Sequence, residues 1–350
     1  MTSTGIEQSS GRDGDAEVKM PIMHRIKTRS VNLLKSSMIF LFNKEQQTIC
    51  GNTSNSWIKI SLYYFIFYIC SGLYYCGIIA VFGAIVSRQT PTYTNLQSRM
   101  SDGGKIYPGM GYRPMPTIDS TSLTVYNDTA SQLQTISSLT NYKIRNHSYK
   151  KFLTQSDPTY LEECSPSNPA SSLQEDRSCM FSWTDIVTTH PCSTTNMYGW
   201  SSGKPCVLLK LNRIYNWLPA EGNIIDQITN ATGQTILPID QQEQNIYITC
   251  NGTDASDRLV IGNLTYYSIL HPLGISGYGG IPYYFYPYTN SRDQVDPFVL
   301  VQFTSLPLET KVNVICRAWA PNIVQLSEGT TRRGVATFDI LRSNENAPKA

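Results

Sequence analysis

The sequence lacks the short motifs that mark most enzyme and metal sites. It has no Cys-x-x-Cys pair, and its four His are scattered, so we do not expect a zinc site. No glycine-rich segment resembles a phosphate-binding loop. The metal-binding Asp-x-Asp triplet that is usual in Golgi-type glycosyltransferases occurs only at Asp13-Gly14-Asp15, before a long apolar run. The sequence therefore predicts neither an active site nor a cofactor.

One segment, Gly199–Gly203, does fit the Gly-x-Ser-x-Gly pattern of a catalytic nucleophile elbow. Such an elbow needs a strand before it and a helix after it, whereas Lys204 and Pro205 follow here. We interpret the segment as a turn.

Charged residues are scarce as well. They make up 15% of the chain, and the net charge is only +2. This balance argues against a basic surface, so no nucleic-acid partner is expected. The chain has 22 Tyr instead, and this composition favours a β-rich extracellular domain over a helical cytosolic one.

The segment from Ser61 to Ser87 contains no Asp, Glu, Lys, Arg or His and is rich in large apolar residues. A helix of this length reaches roughly 40 Å, enough to cross a bilayer core of about 30 Å with some tilt. The alternatives are a buried core helix, which is rarely this long without a charge, and a signal peptide, which would start closer to Met1. We predict a transmembrane signal anchor at residues 60–87.

The charge distribution predicts the orientation of this anchor. Residues 1–59 carry eight Lys or Arg and five Asp or Glu, and basic residues favour the cytoplasmic side. We therefore expect a cytoplasmic tail at 1–59 and an extracellular domain at 88–350, in a type II membrane protein.

The nine Cys divide between the two sides of the anchor. Cys50, Cys70 and Cys76 are expected to be reduced thiols. The six beyond the anchor argue for three disulfides, and spacing alone leaves fifteen connectivities, of which sequential pairing is the simplest. These six are Cys164, Cys179, Cys192, Cys206, Cys250 and Cys316.

Five glycosylation sequons also lie beyond the anchor, which supports an ectodomain made in the secretory pathway. Their acceptors are Asn127, Asn146, Asn230, Asn251 and Asn263. A sixth, at Asn52, falls on the predicted cytoplasmic side and is discounted.

The carboxy-terminal part has the pattern of a β-sandwich of antiparallel strands. Apolar or alternating runs predict strands at Val207–Leu211, Phe298–Thr304, Lys311–Ala318 and Val335–Leu341. Residues 88–160 are polar and rich in Gly and Pro, so we expect a mostly irregular stalk with one short helix. The fold class is thus mainly β, after one transmembrane helix.

Two aromatic clusters are candidate contact surfaces. Tyr64, Tyr68 and Gly72 are spaced four apart and share one helical face, where a glycine lets another helix approach closely. The alternative is an aromatic belt at the membrane surface. The cluster Tyr283–Tyr288 predicts either a strand with stacked aromatics or an exposed patch for a partner.

Several blocks of the sequence resemble the β subunits of the Na,K-ATPase and H,K-ATPase. The most specific is the Gly-Lys-Pro-Cys and Lys-Leu-Asn-Arg pair within Tyr198–Ile214. The others are Ser56–Ile60 running into Tyr64 and Tyr68, Ile281–Tyr288, Pro297–Thr304, Cys316–Ile323 and Phe338–Ile340.

This resemblance implies a non-catalytic subunit that chaperones the catalytic alpha subunit of a P-type cation pump and tunes its cation affinity. It implies an immunoglobulin-like sandwich with three sequential disulfides. The resemblance at Tyr64 and Tyr68 supports the partner face on the helix, and together with the two aromatic clusters it leads us to expect alpha-subunit contacts at Tyr64, Tyr68, Gly72, Tyr286, Pro287 and Tyr288. A small single-span regulatory subunit and membrane lipid are further expected partners. Two alternatives stay open, the beta subunit of a proton/potassium pump and a free-standing type II adhesion glycoprotein.

Overall fold

The computed structural model describes residues 40–43, 45–87, 90–94, 97–98, 107–115, 121–126, 129–146, 160–174, 177–181, 190–241, 244–291, 294–326 and 332–344. The chain forms two compact units, Met1–Val86 and Ser87–Ala350, and each is described by itself.

The first unit consists of a long helix and a small sheet that precedes it. Helix α1 spans Ser54–Ile85, and none of its residues is buried. It is the only helix within the described residues that is long and apolar enough to cross a membrane. Three short antiparallel strands form a meander before it: β1 (Phe42–Asn43), β2 (Thr48–Ile49) and β3 (Asn52–Thr53). The helix begins six residues before the predicted anchor, because the polar residues after Thr53 are helical too.

The second unit is a sandwich of two five-stranded sheets. The first sheet has the strand order β11-β10-β13-β8-β4, and the second has the order β12-β9-β14-β15-β5. The strands of the first sheet are β4 (Met110–Arg113), β8 (Cys206–Leu211), β10 (Leu264–Tyr267), β11 (Ile275–Ser276) and β13 (Phe298–Phe303). Those of the second are β5 (Ser122–Val125), β9 (Asn245–Gly252), β12 (Gly279–Pro282), β14 (Lys311–Trp319) and β15 (Val335–Arg342).

Smaller elements complete this unit. Strands β6 (Leu161–Glu162) and β7 (Ser178–Cys179) form a separate parallel pair. Within the part of this unit that the structure describes, three helices lie between strands: α2 (Thr129–Asn146), α3 (Ile225–Thr232) and α4 (Ala255–Val260).

The core lies between the two sheets. Strand β14 alternates, with Val312, Val314, Cys316 and Ala318 fully buried, because successive side chains of a strand point to opposite faces. Strand β13 lies in the middle of its sheet and is apolar except for Gln302, and all six of its residues are buried. The four strands predicted from the sequence are all present, and the predicted mainly β fold with three disulfides is confirmed.

Two details differ from the prediction. The segment expected to be an irregular stalk contributes an edge strand to each sheet, β4 and β5, and also the 18-residue helix α2. The sandwich is not entirely antiparallel either, because β5 pairs in parallel with β15. Both edge strands are only four residues long, so their local pattern is weak, and pairing with distant strands determines their conformation.

Candidate partner-contact surfaces

The face of α1 predicted from the sequence carries a stacked aromatic pair. The rings of Tyr64 and Tyr68 lie 6.1 Å apart between centroids, with 27° between their planes. One turn further along, a Cβ added to Gly72 would meet no atom within 4 Å. The helix therefore presents two flat rings and then an open position where another helix can approach closely.

A second aromatic pair lies beside the first. Tyr63 and Phe67 also stack, with centroids 6.3 Å apart and 16° between the planes. Four residues after Phe67 on the same helical face comes Ser71. This neighbouring face therefore also has two stacked rings, but it has a serine where the face of Tyr64 has a glycine. The glycine thus distinguishes the face of Tyr64 from that of Tyr63.

The Tyr283–Tyr288 segment is less exposed than expected. Tyr283–Phe285 form a short 3-10 turn rather than a strand, and a cis peptide bond joins Tyr286 to Pro287. Tyr286 and Pro287 are buried, and the ring of Tyr286 packs edge-on against Trp217 at 5.7 Å. Burial raises the pKa of the Tyr286 hydroxyl well above its ordinary value. The exposed patch expected from Tyr286, Pro287 and Tyr288 is therefore wrong for the first two, and only Tyr288 is partly accessible.

An ion-pair cluster that the sequence did not reveal holds Tyr288 in place. The Arg213 guanidinium lies 5.0 Å above the Tyr288 ring, and its Nε donates to Asp296 Oδ1 at 2.6 Å. Lys210 Nζ donates to the other oxygen, Asp296 Oδ2, also at 2.6 Å. Asp296 is only 6% exposed, so one nearly buried carboxylate fixes two cations. The signal in the sequence was Lys210, a charged residue inside the apolar strand β8.

Burial and pairing act in opposite directions on Arg213. Removal from water disfavours its charged form, but the hydrogen bond and the charge of Asp296 outweigh this effect. The pKa of the guanidinium is accordingly raised, and Arg213 is a permanent cation beside Tyr288. The first candidate surface of this unit is thus a half-buried tyrosine ring held under a fixed positive charge.

The three disulfides of the second unit pair the six cysteines in sequential order. They join Cys164 to Cys179, Cys192 to Cys206 and Cys250 to Cys316. The third joins positions directly opposite one another on β9 and β14, with the Cα atoms 4.0 Å apart. The remaining cysteines, Cys50, Cys70 and Cys76, are free thiols.

The sequon asparagines differ in accessibility. Asn230 and Asn263 are exposed, whereas Asn251 is half-buried and its Oδ1 accepts a hydrogen bond from the Gly252 amide at 2.8 Å. Asn127 and the side chain of Asn146 lie outside the described residues.

The segment that fits the nucleophile-elbow pattern is a turn. Gly199 has φ of +73°, and a Cβ there would collide with the backbone carbonyl of Lys204. Trp200 is fully buried below it and donates from Nε1 to the Cys206 carbonyl at 3.1 Å. No helix follows the turn, since β8 begins at Cys206. The segment holds the Cys192–Cys206 loop closed and has the geometry of a structural turn.

A family model described as the sodium/potassium ATPase beta chain matches residues 27–338. The chain belongs to this family. Subunit beta-2 of the sodium/potassium-transporting ATPase of Drosophila melanogaster is 29% identical over 331 residues, covering 88% of this chain and 92% of the relative. Subunit beta-1 of Tetronarce californica is 29% identical over 301 residues, covering 81% and 88%. The probable subunit beta-3 of Caenorhabditis briggsae is 27% identical over 310 residues, covering 86% and 85%.

Family membership bears on two expectations from the sequence, that the chain is not an enzyme and that it crosses the membrane once. The family is the non-catalytic chain of the sodium/potassium ATPase, so the prediction that this chain is not an enzyme is confirmed. Together with helix α1, membership also identifies the chain as a single-pass membrane protein.

Proposed function

We propose that this chain is the beta subunit of a sodium/potassium pump. In this role it helps the catalytic alpha subunit to assemble and to reach the plasma membrane, and it tunes the cation affinity of the pump. The observation that carries the proposal is the face of α1 on which the stacked rings of Tyr64 and Tyr68 precede the open position at Gly72.

The physical argument for a protein partner on this face concerns its hydroxyl groups. Tyr hydroxyls inside hydrocarbon find no water, so a second helix satisfies them better than lipid does. Close packing at a glycine adds van der Waals contact, which is the main force between helices in a bilayer. A face of two Tyr followed by Gly72 supplies both features to one alpha-subunit helix.

Outside the membrane, we propose that Tyr288 is the residue that contacts the alpha subunit. Its ring is partly accessible and is held by Arg213 and Asp296, so little conformational entropy is lost on binding. Tyr286 and Pro287 then act indirectly, because both are buried next to Tyr288 in the chain and the Tyr286 ring is fixed against Trp217.

The proposed orientation places the amino terminus in the cytoplasm. It is supported by the excess of basic residues before α1, by the exposed sequons at Asn230 and Asn263, and by three disulfides in the second unit. Disulfides persist in the oxidising lumen and outside the cell. We further propose that the face of Tyr63 and Phe67 contacts lipid, and that another face of α1 contacts a small single-span regulatory subunit.

Co-purification tests the proposal. The tagged full-length chain is expressed in eukaryotic cells that contain the alpha subunits of its own organism. It is extracted in mild detergent and captured by its tag, and mass spectrometry identifies the proteins bound to it. We expect the catalytic alpha subunit of a sodium/potassium pump in stoichiometric amount. Recovery of the chain alone, together with aggregation of cells that display it, would favour the adhesion glycoprotein. Recovery of a proton-pump alpha subunit would favour the other pump.

A further inference from the structure

The small sheet before α1 is a defined structure rather than a loose tail. We call residues 40–43 and 45–53 the juxtamembrane meander; Phe40 and Leu41 are helical, and the three strands follow them. The Cys50 amide donates to the Leu41 carbonyl at 3.1 Å, and this bond joins the residue before β1 to the residue after β2. At the turn between β1 and β2, Asn43 Oδ1 accepts from the amides of Glu45 and Gln46 at 3.1 and 3.2 Å. The turn is therefore capped by its own side chain.

Two hydrogen bonds attach the juxtamembrane meander to the first turn of α1. Trp57 Nε1 donates to the Ile49 carbonyl at 2.8 Å, and Ser56 Oγ donates to Asn52 Oδ1 at 3.3 Å. Strand β2 consequently lies next to Trp57. This residue precedes the uncharged run that starts at Ser61 by about one helical turn, or roughly 6 Å along the axis.

That distance matches the polar layer of a bilayer. Headgroups and interfacial water extend about 5–8 Å beyond the hydrocarbon core on each side. When the uncharged part of α1 crosses the core, Trp57 and β2 fall within this layer. An indole ring suits the position, since its N–H keeps a polar partner while its rings contact lipid.

The exposed side chains of the juxtamembrane meander divide into apolar and polar groups. Phe40, Leu41 and Ile49 are 63%, 55% and 51% exposed. The Phe40 ring lies beside Gly51, and the backbone bond from Cys50 keeps Leu41 next to Ile49. The turn residues Glu45, Gln46 and Gln47 are polar and exposed. Strands of two residues are marginal in water unless an apolar surface is covered.

We propose that the juxtamembrane meander is an interfacial lipid-binding element. Phe40, Leu41 and Ile49 insert among the upper acyl chains, the Glu45–Gln47 turn stays in water, and the Trp57 bond sets the depth of the sheet. The bound partner is the phospholipid bilayer itself, because the apolar surface is continuous with the helix that spans it. The inference holds for either orientation of α1 and does not require the alpha subunit.

Fluorescence of a depth-sensitive probe tests this inference. In the full-length chain, Cys50, Cys70 and Cys76 are changed to Ser or Ala, and a nitrobenzoxadiazole label is attached at Ile49→Cys or, as the matched control, at Gln46→Cys. Each protein is reconstituted in nanodiscs of phosphatidylcholine and phosphatidylserine. We expect the Ile49 label to be quenched several-fold more by shallow doxyl lipids than by aqueous iodide, and the Gln46 label to show the reverse.

Two results would overturn the inference. Quenching of the Ile49 label by iodide, to the extent seen at Gln46, would place β2 in water. Shielding from both quenchers would show that protein covers the surface. Since a label at Ile49 alters the sheet, a label at Phe40→Cys provides a second measurement and should also be quenched by lipid.

The Trp57→Phe variant tests the attachment. It keeps an aromatic ring but removes the N–H that reaches Ile49, so lipid quenching at Ile49→Cys should fall while insertion of α1, read from glycosylation, is retained. Unchanged quenching would refute the role given to this hydrogen bond.

Discussion

Asp296 is the carboxylate on which the charge balance around Tyr288 depends. Asp296→Asn keeps the side-chain volume but leaves Lys210 and Arg213 without a counter-charge. Removing one partner of a buried ion pair costs about 3–5 kcal/mol, and the partial exposure of Arg213 places the expected loss near the lower end. The loss is measured as the free energy of unfolding of the full-length chain in urea, followed by tryptophan fluorescence.

The matched control is Asp339→Asn. Asp339 pairs with Lys311 at 2.7 Å on the surface, and the Lys311 side chain is 57% exposed. Exposed pairs contribute about 0–1 kcal/mol, so this variant should be close to wild type in stability. Similar losses for the two variants would contradict the buried character of the Asp296 cluster.

His190 makes stability depend on pH. The ring is buried, stacks on Tyr267 at 4.4 Å, and accepts the Cys192 amide at Nδ1, which requires that nitrogen to be unprotonated. Burial lowers the pKa of His190 to about 4. Below the ordinary pKa near 6.5 the unfolded chain binds a proton that the folded chain does not, so the free energy of unfolding falls as pH drops from 6.5 towards 4.

The size of this effect is up to about 3 kcal/mol, because each unit of pKa difference corresponds to about 1.4 kcal/mol. We compare urea unfolding of wild type and His190→Gln at pH 7 and pH 5. The variant is expected to be less stable at pH 7 and to lose less stability on acidification. Parallel losses in the two proteins would mean that His190 does not carry the dependence.

At the scale of single elements, the α1 face is the surface with the clearest functional consequence. Changing Tyr64 and Tyr68 to Leu keeps the helix apolar, so insertion and glycosylation should not change. The change removes two rings and two hydroxyls from the proposed interface, where single polar contacts contribute about 0.6 kcal/mol and packing contributes the rest. We expect the complex to survive through ectodomain contacts and the apparent cation affinity of the pump to shift.

The neighbouring pair gives a control of the same chemistry. Tyr63→Leu with Phe67→Leu removes a stack of similar geometry from a face about 100° away around the helix. The pump assembled with this double variant should have the same apparent cation affinity as the pump assembled with wild type. Equal pump kinetics for wild type and the Tyr64/Tyr68 variant would show that α1 serves only as a tether.

The Cys250–Cys316 disulfide is the second element-scale prediction. It closes a loop of 66 residues and joins the central strand β14 of the second sheet to its neighbour β9. The chain-entropy model gives about 4 kcal/mol for such a loop and about 3 kcal/mol for a loop of the size closed by Cys164–Cys179. Replacing both cysteines of the longer loop by Ala should therefore reduce mature protein more, measured as glycan-processed chain at the cell surface.

What the sequence reveals about these elements depends on the range of the interactions that form them. Strands β13 and β14 are predictable because burial imposes a local pattern of apolar residues on each. Strands β4 and β5 are not, since four residues carry too little pattern and each strand pairs with one that is distant in the chain. The same applies to Asp296, whose contact with Lys210 joins residues 86 positions apart.

At the scale of the whole molecule, the proposed topology predicts where glycans are added. Asn230→Gln and Asn263→Gln should each increase gel mobility by one glycan in a eukaryotic host, since both side chains are exposed in the second unit. Asn52→Gln is the control, because its sequon precedes α1 on the side that the transferase does not reach. Loss of a glycan in Asn52→Gln, without a change in the other two, would indicate the reverse orientation.

The parallel pairing of β5 with β15 determines when the second sheet can be completed during translation. Strand β5 leaves the ribosome early, but its hydrogen-bonding partner β15 lies about 200 residues further along the chain, so Ser122 meets Asp339 only after β15 has been made. At roughly 5–20 residues per second, this strand waits on the order of ten seconds or more with an open edge. An open edge can pair with other chains. Closure of the second sheet therefore waits for β15, and a chain truncated before Val335 would keep the edge of β5 open to other chains.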